Sequence, residues 1–346
     1  MTNAGENNIL CQHSNEDELV NQANECPALP VAGGDLIVLV GPTAVGKTAV
    51  AIELAALVGG EIVSADSMQV YRLLDVGTAK PTTQQREQAQ FHLIDIADPD
   101  QQLTVSEWKA RASKVIGEIR GRGNAPIVCG GTGLYVKALL CDWSLAETPA
   151  DPQIRTKLVA RSIEEGSQAL YLELVGVDPV TAARLHPNDT VRIVRALEVF
   201  YVSGVVISEY QAADKSRSAR LPARLFGLTL PRQEMYDRID SRVDQMLTAG
   251  LEHEVRELLT RGYGLDYGPM RSLGYKEMVQ YVLGQLDYPQ TVSAIKQSTR
   301  RYAKRQMAWF RGDASIHWID VSALSSAAVA GYIREELERS NTIFDP

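Results

Sequence analysis

Short runs of apolar residues alternate with longer amphipathic segments in the first half of the chain. Leu36–Val40 is entirely apolar, as expected of a strand that is buried on both faces of a sheet. A helix is predicted from about Lys47 to the residue before Gly59-Gly60, and Glu61–Ser64 reads as a second strand. Because strand, loop, helix and strand follow one another in this order, we expect a parallel α/β sheet.

The same alternation continues towards the middle of the chain. Thr104 and Glu107 have the spacing of a capping box, which predicts a helix over Val105–Arg120 that stops at Gly121. The remaining predicted core elements are a strand at Ile127–Cys129, which is followed by Gly130-Gly131-Thr132 and a helix through Leu140, a returning strand at Arg224–Leu230, a helix from Pro231 to Ala249 and a short strand at "IHWID".

After Asp142 the pattern becomes helical. Asp151-Pro152 and Asp178-Pro179 each place a capping acid before a proline at the first helical position, and "HPNDTVRIVRALEVF" carries apolar residues near helical spacing. The polar stretch from Ser208 to Pro222 is predicted to be a loop. We therefore divide the chain into residues 1–34 (a disordered acidic tail), 35–142 (the first part of the α/β core), 143–222 (a helical insertion) and 223–346 (the rest of the core and a basic helical C-terminal part).

Composition excludes several classes of protein. Among the 346 residues no apolar run approaches the ~18 residues of a membrane span. The first 34 residues hold five acids and no Lys or Arg, unlike a secretory signal or a transit peptide. The cysteines (Cys11, Cys26, Cys129 and Cys141) lack zinc-site spacing and the five His are scattered. We expect a cytoplasmic monomer without a protein-built metal cluster.

Charge is distributed unevenly along the chain. The net charge of −8 argues weakly against a nucleic-acid partner, because phosphate contacts require Lys and Arg. However, residues 291–311 contain six basic residues and no acid. Lys296, Arg300 and Lys304 repeat every four residues and predict one basic stripe on a helix, whereas Trp309 and Phe310 are predicted to pack in the core.

A phosphate-binding loop follows the first strand. The pattern G-x-x-x-x-G-K-T predicts backbone amides that converge on phosphate oxygens, a positive charge from Lys47 and a Mg²⁺ ligand in the Thr48 hydroxyl. This pattern predicts a P-loop NTPase-like core, yet it leaves open whether the bound phosphate is transferred, hydrolysed or released as diphosphate. The loop comprises Gly41, Pro42, Thr43, Ala44, Val45, Gly46, Lys47 and Thr48.

Asp66 bears on the choice of reaction. It lies just beyond the second strand, and ligands of open parallel sheets bind at the carboxyl ends of strands. Asp66 is therefore a candidate proton acceptor, although it also fits as the cap of a turn with Ser67. The strand at Ile127–Cys129 leads into Gly130-Gly131-Thr132 instead of a metal-binding Asp. That pattern disfavours a motor ATPase and leaves a small-molecule kinase open.

Several longer motifs together resemble the tRNA dimethylallyltransferase (isopentenyltransferase) family. They keep the family order from about Leu36 to Asp320, and the most specific are "DVGTAKP", "GGTGLY" and "KRQMAWFR". The full set of motifs, which contains these three, is "GPTAVGKT", "SADSMQVYRLLDVGTAKP", "HLIDIADPDQQLTVSEW", "GGTGLYVKALL", "HPNDTVRIVRALEV", "RIDSRVDQMLTAGLEHEV", "RSLGYKEM" and "TRRYAKRQMAWFR".

The resemblance implies a reaction. The family transfers a dimethylallyl group from dimethylallyl diphosphate to N6 of adenosine 37, beside the tRNA anticodon, so the loop would hold a leaving diphosphate and consume no ATP. By this analogy Asp66 is the general base and Thr43 bonds the bridging oxygen. Arg238 and Arg242, four residues apart on one helix, are candidates to clamp the diphosphate, and the analogy favours Arg238.

The resemblance also implies contacts with the tRNA anticodon loop. A further segment, Arg271 to Lys276, aligns with a less uniform family contact. The implied tRNA-binding residues are Asp66, Ser67, Met68, Gln69, Thr132, Arg155, Val191, Arg192, Ile193, Val194 and Arg195.

Three other classes of protein stay open at this stage. A free-adenylate prenyltransferase shares the core chemistry but does not need the tRNA-matching segments. A small-molecule kinase leaves the basic C-terminal helix unexplained, and a non-catalytic RNA-binding module leaves the phosphate loop unexplained.

Overall fold

A six-stranded parallel sheet forms the centre of the protein. The computed structural model describes residues 36–141, 150–217 and 221–341, so the predicted acidic tail with Cys11 and Cys26 lies outside the described residues. The strand order is β3-β2-β4-β1-β5-β6, and every pair of neighbours is parallel. The strands are β1 (Leu36–Val40), β2 (Gly60–Ser64), β3 (Phe91–His92), β4 (Ala125–Gly130), β5 (Ala223–Thr229) and β6 (His317–Asp320).

Helices cover both faces of this sheet, which confirms the predicted α/β fold. The core helices before the insertion are α1 (Lys47–Val58), α2 (Thr83–Gln88), α3 (Val105–Gly121) and α4 (Gly133–Leu140). Those of the insertion are α5 (Pro152–Glu164), α6 (Ser167–Val177), α7 (Pro179–Ala182), α8 (Thr190–Ser203) and α9 (Ile207–Arg217). The C-terminal part contributes α10 (Arg232–Thr248), α11 (Leu251–Thr260), α12 (Tyr275–Val282), α13 (Tyr288–Arg311) and α14 (Ser326–Asn341).

Alternate residues of β1 point into two separate hydrophobic layers, as the period of two in a strand requires. Ile37 and Leu39 pack in the layer that includes α1 and α14, while Val38 and Val40 pack in the layer that includes α3 and α4. All five β1 residues are buried. This two-sided burial is why the first strand reads as an uninterrupted apolar run instead of an alternating one.

The insertion has a hydrophobic cluster of its own, formed by residues such as Leu158, Leu174 and Leu197. Asp151 and Asp178 cap α5 and α7 through their side chains, with proline at the start of each helix, which confirms the predicted caps. Asp178 Oδ2 also accepts the backbone N–H of Ser208 at 3.0 Å.

The prediction that Ser208 to Pro222 forms a loop is wrong over most of that stretch, because α9 runs from Ile207 to Arg217. Its sequence is polar but includes Glu209, Gln211, Ala212 and Ala213, all of which have high helix propensity. Polarity here reflects an exposed helix. The short helix α2 and the two-residue strand β3 are also absent from the sequence-based prediction.

Candidate functional site

A cavity of about 650 Å³ opens at the carboxyl ends of the central strands. The loop after β1 contributes Lys47, the loop after β2 contributes Asp66 and the loop after β4 contributes Gly131. Helices α10 and α13 close the cavity from the C-terminal part of the chain. These three loops meet because β2, β4 and β1 are neighbours and parallel, as expected for a ligand site in an open α/β sheet.

The phosphate loop has the backbone that its glycines predict. Gly46 has a left-handed φ of 99° and directly precedes α1, which lacks a side-chain cap. The amides at the start of this helix are therefore available to an anion. A Cβ at Gly41 would lie 2.7 Å from the carbonyl oxygen of Leu228, so the loop can pass β5 only with glycine there. The Lys47 Nζ donates to the carbonyl oxygen of Pro42 at 2.7 Å.

Two cationic side chains, Lys47 and Arg242, line this cavity and favour an anionic ligand. Burial lowers the pKa of Lys47 to about 8, and burial also lowers the pKa of Arg242; the charge of Asp66 opposes both shifts. Among the described side chains, two buried polar atoms lack a hydrogen-bond partner, Arg242 Nε and Ser272 Oγ, and both residues line this cavity. A bound anion would supply the missing partner of the guanidinium.

The structure separates the two arginines that the sequence groups together. Arg242 lines the cavity, whereas the Arg238 guanidinium donates to Glu234 Oε1 at 2.8 Å on its own helix. Arg238 is not among the residues that line the cavity. This placement favours Arg242 over Arg238 as the diphosphate clamp, and the role implied for Arg238 stays a prediction without support from this geometry.

Asp66 combines the two roles that its sequence position suggests. Its Oδ1 accepts the backbone N–H groups of Met68 at 2.8 Å and Gln69 at 3.3 Å, which is the predicted turn. Its carboxylate also lines the cavity, and Oδ2 has no hydrogen bond to any described residue. The turn therefore fixes the carboxylate while one oxygen remains available to accept a proton.

The loop after β4 supports the Asp66 turn. Thr132 Oγ1 accepts the backbone N–H of Ser67 at 2.9 Å, and the backbone N–H of Thr132 donates to the carbonyl oxygen of Ala65. A Cβ at Gly130 would lie 2.1 Å from that same carbonyl oxygen. The Gly130-Gly131-Thr132 sequence thus brings the ends of β2 and β4 closer together than larger residues would permit.

Gln306 is a site residue that was not predicted from the sequence. Its Oε1 accepts the backbone N–H of Thr43 at 2.8 Å, and its Nε2 donates to the carbonyl oxygen of Gly131 at 3.0 Å. It is 6% exposed. A signal was available, because Gln306 occupies an otherwise apolar position on the face of α13 that buries Ala303 and Phe310. A buried amide at such a position requires polar partners.

A second unpredicted residue, Glu254, holds the "DVGTAKP" segment. Its carboxylate accepts the backbone N–H groups of Asp75 at 2.9 Å and Val76 at 2.8 Å, and the Tyr275 hydroxyl at 2.6 Å. A Cβ at Gly77 would lie 2.4 Å from the Tyr275 ring. These contacts fix a loop whose next residues line the cavity.

The implied tRNA-binding residues of the insertion surround one buried carboxylate. Glu198 is 0% exposed and accepts Arg155 at 2.7 Å and Arg195 at 2.8 Å. Although burial alone would raise the pKa of Glu198, these hydrogen bonds hold it below its usual value. Glu198 therefore fixes the positions of two partly exposed guanidinium groups.

The neighbouring implied segment, Val191 to Arg195, is only partly accessible. Val191 is 81% exposed, and Arg192 is exposed and paired with Asp189 at 2.9 Å. Ile193 and Val194 are buried in the hydrophobic cluster of the insertion. Their side chains therefore support the helix from within and do not face an RNA in this conformation.

Two of the three residues of the predicted basic stripe form ion pairs within the chain. Lys296 pairs with Asp244 at 2.7 Å, and Arg300 pairs with Asp240, so both residues join α13 to α10. Lys304 is exposed and forms no ion pair with the described residues. The four-residue spacing identified one helix face correctly, but that face meets acidic residues of α10 that the local sequence could not reveal.

The prediction that Trp309 and Phe310 both pack in the core holds for one of them. Phe310 is 3% exposed, which confirms its predicted place in the core, whereas Trp309 is 44% exposed, so that prediction is wrong. The Trp309 ring packs against the backbone at Gly133, where a Cβ would lie 2.2 Å from Cδ1.

The donor set of the cavity suits a hard cation held jointly with a ligand. No group of three or more His, Cys, Asp or Glu side chains that could hold a metal occurs within the described residues. Burial raises the pKa of the Cys129 thiol to about 11, which keeps it neutral and a poor metal ligand. Oxygen donors such as the Thr48 hydroxyl line the cavity, and together with ligand oxygens they suit a hard divalent cation.

No helix of the described part of the chain is long and apolar enough to cross a membrane.

Comparisons with known proteins agree with this site. The family model for IPP transferase matches residues 69–313. The chain is 45% identical over 303 residues to a tRNA dimethylallyltransferase of Syntrophobacter fumaroxidans, covering 87% of each protein. It is 47% identical over 287 residues to that of Symbiobacterium thermophilum, covering 83% of this chain and 89% of the relative.

Solved structures give the same result. The tRNA isopentenylpyrophosphate transferase of Bacillus halodurans matches with a TM-score of 0.66 and 38% identity, covering 89% of this chain and 98% of that one. A eukaryotic dimethylallyltransferase acting on tRNA matches with a TM-score of 0.74 and 27% identity, over 90% of this chain and 80% of that one. The phosphate loop, the Asp66 turn and these similarities lead to one conclusion: the chain belongs to the IPP transferase family.

Proposed function

We propose that this protein transfers a dimethylallyl group from dimethylallyl diphosphate to N6 of adenosine 37 of tRNA and releases diphosphate. The observation that carries the proposal is the pairing, in one cavity, of two desolvated cations with a carboxylate. The charges of Lys47 and Arg242 suit a bound diphosphate. The carboxylate of Asp66 suits the acceptance of a proton from an amine that attacks next to that diphosphate. The relatives named above carry the same activity in their names.

The chemistry follows from this arrangement. Ionisation of an allylic C–O bond places negative charge on the departing diphosphate, and the amides at the start of α1, Lys47 and Arg242 stabilise that charge. The adenine amine forms a C–N bond as the C–O bond breaks and becomes a better nucleophile as it loses a proton. Asp66 accepts that proton through its available oxygen.

Magnesium fits the donors of this cavity. The Thr48 hydroxyl would hold Mg²⁺ together with diphosphate oxygens, since Mg²⁺ is usually bound by few protein groups alongside phosphates and water. When bound, the ion neutralises charge on the leaving diphosphate. The proposed metal requirement is independent of Asp66, which acts on the acceptor amine.

A tRNA acceptor is favoured over a free nucleotide by the insertion. Helices α5–α9 present Arg155, Arg195 and Arg192 on a separately packed body, which a small acceptor would not need. The target adenine would leave the stack of the anticodon loop to reach Asp66, as base-modifying enzymes require. We further propose that the protein acts as a cytoplasmic monomer.

One incubation tests the proposal. The protein is mixed with dimethylallyl diphosphate, Mg²⁺ and either unmodified tRNA, AMP or ATP, and the nucleosides are analysed by mass spectrometry. We expect dimethylallyl adenosine in the tRNA sample with one diphosphate released per transfer. Product with AMP but not with tRNA would favour the free-adenylate prenyltransferase, and conversion of ATP to ADP would favour a kinase.

A further inference from the structure

Ser272 places a buried hydroxyl without a partner in the wall of the cavity. The residue lines the cavity, and its Oγ is buried and forms no hydrogen bond with any described residue. Its backbone is fixed on both sides, because the Ser272 N–H donates to the Pro269 carbonyl oxygen and the Ser272 carbonyl oxygen accepts the Lys276 N–H, each at 3.0 Å. A buried hydroxyl that has lost its hydration is normally hydrogen-bonded, so we looked for a ligand group that it could meet.

The cavity changes from polar to apolar along α13. Gln306 holds the backbone of Thr43 in the phosphate loop. Ile295, eleven residues earlier on the same helix, also lines the cavity and belongs to the hydrophobic core. Eleven residues of helix correspond to a rise of about 16 Å. The cavity therefore has a phosphate end at Gln306 and an apolar end at Ile295.

Helix α10 shows how a prenyl diphosphate fits between these two ends. The two ion pairs between α10 and α13 join rising positions of the first helix to falling positions of the second, so the helices run antiparallel. Arg242 lies between these pairs, and Met246 lies one turn, about 6 Å, further towards the level of Ile295. Both residues line the cavity. A prenyl chain attached to a diphosphate that Arg242 binds therefore finds apolar surface in the direction of Met246.

Ser272 belongs to this apolar end of the cavity. The next residue, Leu273, lines the cavity as Met246 does. A Cβ at Gly274 would lie 3.9 Å from Leu251 Cδ2, and Leu251 begins α11 directly after the end of α10. The unpartnered hydroxyl thus lies among the side chains that would surround a prenyl chain, at the end of the cavity opposite the phosphate loop.

We propose that the cavity also takes an allylic diphosphate with a hydroxyl group at the far end of its five-carbon chain, and that Ser272 Oγ hydrogen-bonds this hydroxyl. Dimethylallyl diphosphate has only methyl groups at that end and leaves the serine unpartnered. Two hydroxyls can satisfy one another, since each can donate and accept. The inference rests on the proposed function, because it takes the ligand of the phosphate loop to be a prenyl diphosphate.

The transfer itself stays the same with this donor. The adenine amine nitrogen forms a bond to C1 of the donor while the C1–O bond breaks, and diphosphate leaves with the bonding electron pair. Asp66 accepts the proton of the amine. The distant hydroxyl takes no part in the reaction and remains on the transferred group, so the product is heavier by one oxygen atom than dimethylallyl adenosine.

The test measures donor binding without RNA. The full chain with Mg²⁺ is titrated calorimetrically with pyrophosphate, dimethylallyl diphosphate and (E)-4-hydroxy-3-methylbut-2-enyl diphosphate. The variant is Ser272→Ala and the matched control is Thr299→Val, because the Thr299 hydroxyl also lines the cavity but donates to the Ile295 carbonyl oxygen at 2.7 Å. Two donors and two proteins form a cycle that isolates the contact between the hydroxyls.

We expect the ratio of the two donor affinities to shift against the hydroxylated donor by about 3- to 10-fold in Ser272→Ala, the range for loss of one hydrogen bond. Affinity for pyrophosphate should stay near wild type in this variant. Thr299→Val should keep the wild-type ratio. Incubation of wild type with tRNA and the hydroxylated donor should give the heavier nucleoside, which mass spectrometry identifies.

Two results would overturn the proposal. One is an unchanged ratio of donor affinities in Ser272→Ala, which would assign the hydroxyl to a bound water. The other is an equal loss of affinity for pyrophosphate and both donors, which would place the hydroxyl on the diphosphate. If the donor affinities shift as expected but no prenyl group reaches the tRNA, then the proposed reaction fails and the contact at Ser272 stands.

Discussion

The side chain of Gln306 holds the backbone of Thr43 in place from the opposite side of the cavity. Its Oε1 accepts the Thr43 N–H at 2.8 Å, and its Nε2 donates to the Gly131 carbonyl oxygen at 3.0 Å. One residue of α13 thus links the loop after β1 to the loop after β4. Since 263 residues separate Gln306 from Thr43 in the sequence, this link exists only in the folded protein.

Replacing Gln306 with Ala should lower both stability and affinity for pyrophosphate. One buried and one partly buried backbone group lose their partners, and an unsatisfied buried group costs ~1–3 kcal/mol. Thermal unfolding and calorimetric titration with pyrophosphate measure the two effects. Gln297→Ala is the matched control, because Gln297 is exposed on the same helix. Unchanged pyrophosphate affinity in Gln306→Ala would show that the phosphate loop keeps its shape without this link.

Asp66→Asn should nearly abolish transfer while RNA and pyrophosphate binding are retained. The amide oxygen can still accept the Met68 N–H and preserve the turn, but the side chain can no longer accept a proton. Loss of a general base typically lowers the rate by about 10²- to 10⁴-fold. Single-turnover transfer measures the effect, and Asp100→Asn, at an exposed acid, serves as the control. A variant with near wild-type kcat would reduce Asp66 to a turn cap.

The sequence predicted the parts of this site that depend on neighbouring residues. Apolar runs gave the central strands, and caps such as Thr104–Glu107 gave helix starts that the structure confirms. The rule that ligands bind at the carboxyl ends of parallel strands placed Asp66 beside the phosphate loop. These inferences succeed because apolar runs, helix caps and glycine-containing loops are each encoded by a few consecutive residues.

What the sequence could not supply are contacts between distant segments. Lys296 and Arg300 looked like an RNA-binding stripe until α10 was found to place Asp244 and Asp240 against them. Trp309 looked like a core residue by type, and its exposure depends on where α4 lies. Tertiary placement determines both outcomes, and helical spacing alone does not contain it.

Arg242 and Arg238 provide a comparison within one helix. Arg242→Gln should weaken pyrophosphate binding by at least about tenfold, since a charge-assisted hydrogen bond contributes ~1.5–3 kcal/mol. Arg238→Gln should change it little, because that guanidinium pairs with Glu234 on its own helix. Calorimetric titration of both variants with pyrophosphate measures the two affinities and shows which arginine contacts the anion. The reverse order of effects would mean that the helix rearranges when diphosphate binds.

The lowered pKa of Lys47 predicts a pH dependence for pyrophosphate affinity. The protonated amine binds the anion, and in the free protein this charge is lost as pH rises through about 8. A bound anion favours the charged form, so affinity is full below pH 8 and declines above it. Lys47→Arg keeps its charge over this range and should lose the decline. Titrations between pH 7 and pH 9.5 compare the two proteins under the same ionisation of pyrophosphate, and parallel profiles would exclude Lys47 as the titrating group.

The salt dependence of RNA binding should distinguish the two basic faces of α13. Each phosphate contact made by a cation lowers the slope of log K against log salt by about 0.7 for single strands, because counterions are released. Arg301→Gln with Arg305→Gln should therefore reduce the slope by about 1.4 and weaken binding at low salt. Lys296→Gln with Arg300→Gln removes the same charge from the same helix but breaks pairs with Asp244 and Asp240, so it should lower the melting temperature and leave the slope near wild type.

Because both double variants change the net charge by the same amount, a difference between their slopes can come only from where the charges lie. Equal slopes in the two variants would assign RNA attraction to the overall field of the helix instead of to Arg301 and Arg305. The contacts to phosphate would then have to come from Arg155, Arg192 and Arg195 of the insertion.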